Sequence, residues 1–235
     1  MTIAARRILA LFLCLVVLPF YALGEETPSA PAGEVPSALA VEGFFASAFS
    51  PEYGDTDRDV MIRWAEPLHV FIEGSATEED MQAFSELMEE LRTHVPNLPE
   101  ISLVEKEEDA NVMFSFVPLN EIREFVTGYV PGNWGFMNSF HDKAVIRYGR
   151  VAVVNDKTKQ EDRNHLIREE FVNMLGLCGD IDFAPESIIY QPYTTTQTLA
   201  PIDYEMLNLL YSPLLTPGMT AKEAEEALEP LFRKK

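Results

Sequence analysis

Cysteine is scarce in this sequence: Cys14 falls inside the first apolar run, and Cys178 is the other of the two. A chain that sheds that first segment has no pair with which to close an internal disulfide. Cys178 stands in Leu-Gly-Leu-Cys, an apolar context where a thiol is inert core more often than nucleophile. Positive charge is sparse as well. Eighteen Lys and Arg face 38 Asp and Glu, a formal charge of −20, and a surface of that sign repels nucleic acid. No Gly-x-Ser-x-Gly elbow, dinucleotide fingerprint or phosphate-cradling glycine loop occurs. His69, His94 and His141 are scattered singles. Past the first segment, no apolar run approaches the ~20 residues that cross a bilayer as a helix.

What the chain does carry begins at its front. Arg6 and Arg7 form a basic region, Ile8 to Phe20 is almost wholly apolar, and Ala22-Leu23-Gly24 places small residues where a signal peptidase reads. A cleavable Sec-type signal over residues 1–24 is therefore expected, leaving 211 residues with a formal charge of −22, periplasmic or secreted, with no membrane span. That length suits one domain with a sizeable core. Glu25 to about Ala40 is rich in Pro, Ala, Glu, Ser and Gly, so a flexible leader over 25–45 ahead of a domain over 46–235 is the expected division.

Within the domain, periodicity and punctuation predict the elements. Met61–Trp64 and Leu68–Ile72 read as strand broken by Pro67, a mark of a bulge or an edge. Thr77 with Asp80 makes an approximate capping box for a long helix carrying Met81, Phe84, Leu87, Met88 and Leu91, ended by Pro96. Ile101–Val104 and Asn111–Val117 read as strands joined as a hairpin or by a short crossing loop. Gly128 to Phe140, with its glycines and aromatics, reads as an ordered loop, and Lys143–Asn155 as a long or bent strand. A helix runs from about Asp162 to Leu175, with Gly176 at a left-handed C-cap. Pro201 opens the next helix, Pro217-Gly218 breaks it, and Thr220 with Glu223 caps the last. The order predicts an α+β fold.

One segment carries a functional signal: Glu169-Glu170-Phe171-Val172-Asn173-Met174-Leu175-Gly176-Leu177, then Ser187-Ile188-Ile189-Tyr190 and Leu199 to Tyr211. It resembles the matrixin-like metzincin zinc peptidases, whose H-E-x-x-H-x-L-G-L leads into a Ser-Leu-Met-Tyr turn and a helix ending Leu-Tyr. On that resemblance Glu169 falls on the first zinc histidine, Glu170 on the general base, Asn173 on the second histidine, Gly179 on the third ligand and Ile189 on the methionine of the turn. The chain is also similar, over most of residues 60 to 225, to the bacterial family called domain of unknown function 2927, through Arg168-Glu169-Glu170, Asn173, Leu175-Gly176-Leu177 and the tail from Asp203 to Met219. The resemblance implies a zincin-like α+β fold: a mixed twisted sheet, a long N-terminal helix, a degenerate active-site helix and C-terminal helices.

The substitutions bear on chemistry. Two histidines at i and i+4 bind zinc through neutral nitrogens while the adjacent glutamate polarises its water. Here i and i+4 are Glu169 and Asn173, oxygen donors suited to a hard cation such as calcium, and Gly179 offers no ligand. No metal or other cofactor is expected at these positions. His165, Glu169 and Asn173 form a polar stripe at i, i+4, i+8, with Asp180 and Asp182 just past the helix end. The plain reading of the stripe is a solvated helix face with one histidine at its rim. The functional reading makes Glu169, Asn173, His165 and Asp180 binding residues, with Glu170 the candidate base.

Three functions are then open. The first is a zincin-like pseudopeptidase that binds or assembles with envelope proteins or peptides, a peptide lying along the Lys143–Asn155 strand by β-augmentation. The second is a hydrolase with a non-standard metal site built from His165, Glu169, Glu170 and Asp180. The third is a calcium-stabilised domain without catalysis.

Overall fold

The computed structural model describes residues 35–49 and 59–232. The expected signal segment, the leader up to residue 34 and the stretch 50–58 lie outside the described residues. Helix α1 (Ala38–Phe49) comes first. Ala40, Phe44 and Ala48, one helical turn apart, are buried, and Gly43 lies against Met206. Residues 38–45 thus belong to the packed body and not to the leader in which composition had placed them.

A mixed sheet forms the centre: β1 (Arg63–Trp64), β2 (Leu68–Gly74), β3 (Ile101–Leu103), β4 (Val112–Val117), β5 (Gly135–Asp142) and β6 (Val145–Val154). The order β3-β2-β4-β6-β5 is parallel except for β5, and β1 pairs with the first residues of β6. β3 and β4 flank β2 on opposite sides, so the hairpin reading of those strands is wrong and the crossing loop is right. Pro67 falls between β1 and β2, which join different neighbours, because a residue without an N–H cannot continue a ladder.

The long helix α2 (Glu78–His94) opens with the Thr77–Asp80 capping box and packs on the sheet through Phe84, whose ring centroid is 5.3 Å from both Phe114 and Phe171. Each such ring, fully buried, contributes roughly 1.5 to 3 kcal/mol. A smaller apolar cluster of Val117, Ile122, Val126, Phe136, Ala152 and Val154 covers the other face beside the short helix α3 (Ile122–Phe125). Helices α4 (Gln160–Met174), α5 (Pro201–Leu210) and α6 (Ala221–Phe232) complete the fold. Among the described residues no helix is long and apolar enough to cross a membrane.

The segment read as an ordered loop holds most of β5, and this corrects two expectations. β5 and β6 are joined by Lys143 and Ala144, both at positive φ (49° and 64°), the twist-matching conformation of a two-residue hairpin. β6 is therefore covered on both sides, by β4 and by β5. No peptide can add to the Lys143–Asn155 strand, because its hydrogen-bonding groups are already taken. Among the described residues β5 pairs with β6 alone, which leaves the outer side of β5 as an edge.

Candidate functional site

α4 is set by its two ends. At the start, the Lys159 N–H donates to Asp162 at 2.8 Å. At the finish, Gly176 takes φ +123°, and a Cβ there would lie 2.5 Å from the Ile62 carbonyl, so the expected glycine cap is required twice over. Trp64 Nε1 donates to the Met174 carbonyl at 3.1 Å and the Tyr211 hydroxyl to the Leu175 carbonyl at 2.8 Å, satisfying acceptors that a helix end leaves open.

Between α4 and the edge of β5 lies a cleft of about 640 Å³. β5 gives one wall, with Trp134 before it. α4 gives the floor through His165, Glu169, Glu170 and Asn173, and the segment 178–193 gives the far wall through Cys178, Asp180 and Tyr193. All five expected site residues, His165, Glu169, Glu170, Asn173 and Asp180, line this one cleft. The polar stripe is not the solvated face of the plain reading. His165 is 3% exposed and Asn173 7%, and Glu169 between them is half-buried. β5 and the 178–193 segment cover the face, and neither shows a periodicity that announces this in the sequence.

The contacts are specific. His165 Nδ1 lies 2.8 Å from the Thr196 carbonyl, which only accepts, so that nitrogen carries a proton and donates. Nε2 faces Glu169 Oε2 at 3.3 Å. Burial alone would lower the histidine's pKa, but the Glu169 carboxylate, the Thr196 carbonyl and Asp162 together outweigh it and hold it above the ordinary value. A methyl placed on Gly135 would sit 2.4 Å from Glu170 Oε1, so the missing side chain of the strand is what lets it close over that carboxyl. Asn173 Oδ1 is buried and has no hydrogen-bond partner. At one end Trp134 and Tyr193 meet edge to face at 6.1 Å. The Tyr193 hydroxyl donates to Asp162, and burial together with that carboxylate pushes its pKa up to about 12.

The backbone of β5 is equally ordered. Val154 N–H donates to the Trp134 carbonyl at 2.8 Å across a directly opposed pair. Antiparallel alternation then turns the peptide groups of Phe136 and Asn138 toward β6 and those of Gly135, Met137 and Ser139 toward the open edge.

The profile of the family described as "Protein of unknown function (DUF2927)" matches residues 37–230. The chain belongs to the DUF2927 family. No curated protein matches this DUF2927 chain. Among solved structures it is similar to "Structure of Myroilysin" (TM-score 0.44, 11% identity, 69% of this chain and 88% of that one) and to "Crystal structure of myroilysin" (TM-score 0.43, 11% identity, 78% and 97%).

Other expected positions of the DUF2927 chain fall into place. The Ser187–Tyr190 turn is tied to α5: Ser187 Oγ donates to Asp203 Oδ1 at 2.5 Å, and Asp203 Oδ2 accepts from the Ile188 and Ala200 amides at 3.1 and 2.7 Å. Ile189 is fully buried, and the Gly179 amide donates to the Ser47 carbonyl at 3.1 Å. His69 bonds Ser102 and His94 stacks on Tyr204, both apart from the cleft, whereas His141 lines it. Trp134, Gly135 and Tyr193 were not anticipated. The Trp-Gly pair before alternating Phe136, Asn138 and Phe140 was the available signal.

The donors do not suit a catalytic zinc. Both nitrogens of His165 are engaged, Asn173 supplies an amide, Gly179 supplies nothing, and among the described residues no group of three or more His, Cys, Asp or Glu is placed to hold a metal ion.

Proposed function

We propose that this chain is a zincin-like pseudopeptidase that works outside the cytoplasm as a binding protein, capturing an extended polypeptide segment by strand addition to β5. The supporting observation is the edge of β5, unpaired among the described residues, running beside a cleft with a polar, buried floor. An incoming strand gains main-chain hydrogen bonds from Gly135, Met137 and Ser139, while its alternate side chains reach α4. Glu169, Glu170, Asn173 and Asp180 serve as recognition groups.

The test is selection of a phage-displayed peptide library on the purified chain, repeated with Ser139→Pro. Proline at that edge position removes an outward N–H and spares the ladder to β6. Binders are expected for the native chain and lost with Ser139→Pro at unchanged Tm. Binders retained by the variant would exclude strand addition, and cleavage of the captured peptides would favour the hydrolase built on Glu170.

A further inference from the structure

The edge of β5 is finished differently at its two ends. Where β5 runs into the hairpin turn, His141, Asp142 and Lys143 are exposed. Where β5 begins, the edge stops against a pair of rings. The Trp134 indole packs against both apolar clusters, the one under α2 and α4 and the one on the opposite face of the sheet. A side chain that reaches both faces from the start of the outermost strand wraps round that strand's end. Its ring then meets Tyr193 edge to face at 6.1 Å, and both residues line the cleft. Tyr193 comes from the far wall, so this contact joins the two walls across the line that an added strand would follow.

The Tyr193 ring is held in place. Its hydroxyl donates to Asp162, whose other oxygen accepts the Lys159 N–H at the start of α4, and its ring stands against the His165 imidazole with centroids 6.5 Å apart. Farther along, the Thr196 carbonyl accepts from His165 Nδ1 at 2.8 Å and Gln197 Oε1 from Asn164 Nδ2 at 3.1 Å, so the segment is pinned along the first turns of α4. Yet Tyr193 is 62% exposed. A ring that buries so little adds little to the core, and one tied at its hydroxyl and along its chain forms a fixed wall.

The first outward peptide group of the edge is that of Gly135, the residue next to Trp134. At about 3.3 Å per residue, a segment already paired at Gly135 brings its next residue beside Trp134 itself, where the rings stand. To continue, it must displace Tyr193 or leave the ladder. Resting on the strand-addition reading, we propose that the Trp134 and Tyr193 pair is a stop that makes the cleft select the free end of a polypeptide over an internal stretch. The edge of β5 takes the terminal residues, the rings mark where they end, and the exposed hairpin end lets the rest of the partner leave.

The experiment offers one random peptide library to the purified chain in three formats: free at its amino end, free at its carboxyl end, or internal with a folded domain fused directly to each side. The best free-end binder is then remade with a folded domain fused to its free end, and both affinities are measured by fluorescence anisotropy. Binders are expected from a free-end format and not from the internal one, and the added domain should weaken binding about tenfold or more, the scale of a built-in clash. Tyr193→Ala, a truncation at an exposed position, should keep Tm and bring the two affinities within about threefold. Equal affinity of the free and fused forms for the native chain overturns the stop and leaves strand addition standing. A folded Tyr193→Ala chain that still rejects the fused form overturns it as well. No binders in any format overturn both readings together.

Discussion

Helix α4 carries polar side chains to two buried places, and the two are finished differently. Toward α2, the Asp80 carboxylate is fully occupied: Oδ1 accepts from Arg163 Nε at 2.8 Å and from Gln160 Nε2 at 2.7 Å, and Oδ2 from the Thr77 amide at 2.9 Å. Toward the cleft, Asn173 keeps an acceptor with no donor. Both acceptors are out of water, where an unpaired carboxylate costs far more than an unpaired amide, and it is the carboxylate that is paired. The occupied carboxylate fastens two helices. The unpaired amide oxygen is kept at a cost to the fold.

The largest effect that would test this contrast comes from Asp80. Asp80→Ala leaves the Arg163 guanidinium buried without its counter-charge and is expected to destabilise by about 3 to 5 kcal/mol in urea unfolding at neutral pH. Burial on its own raises the Asp80 carboxyl, yet the Thr77 amide, Arg163 and Gln160 hold it below its ordinary value. Its contribution is therefore present above the unfolded value near ~4 and is lost as pH falls through the lower folded one. The gap between native and variant should narrow in that acid range; a gap independent of pH would mean that the pair is not the source of the loss.

Asn173→Leu should act in the opposite direction, raising stability by about 1 kcal/mol because a buried amide oxygen without a partner is replaced by a side chain of similar volume. A fall in Tm would show that the amide is satisfied in solution and would remove the contrast. The smallest effect is at His165. Glu169→Gln takes away the carboxylate, so burial then dominates and the imidazole, titrated by NMR, should move from above ~6.5 to below it. In the native chain a raised histidine contributes stability below the unfolded pKa and loses it as pH climbs through the folded one. Unchanged titration in Glu169→Gln would mean that the contact at 3.3 Å does not carry charge.

Much of this was legible in the residues. The Thr77–Asp80 box, the Gly176 cap, the Thr220–Glu223 box and the β6 apolar run announce α2, α4, α6 and the centre of the sheet because each is a local device with a local signature. β5 was not legible. Gly135, Asn138 and Ser139 are poor strand formers, and an edge strand with half its ladder open needs less propensity than a central one. α1 was hidden behind the Pro- and Ser-rich stretch before it. The residues that line the cleft were singled out through the resemblance of 169–177 to a zinc-peptidase motif and through the helical spacing of His165, but their burial was not legible, since what covers α4 comes from β5 and from 178–193. A helix pattern records which faces are polar and is silent on what packs against them.

The capping of α4 by Trp64 and Tyr211 has a consequence for the order in which the cleft can be built. Trp64 lies 110 residues before the carbonyl it caps, Tyr211 lies 36 after its own, and Gly179 reaches back 132 residues to Ser47. No local segment closes the cleft by itself. As the chain leaves the ribosome, α2 and the parallel strands can pair while the floor of the cleft still lacks its far end. Only when residue 211 is out can α5 dock and fix the 178–193 wall. The binding surface is thus the last part of the molecule to be completed, and such long loop closures place it among the slow steps of folding.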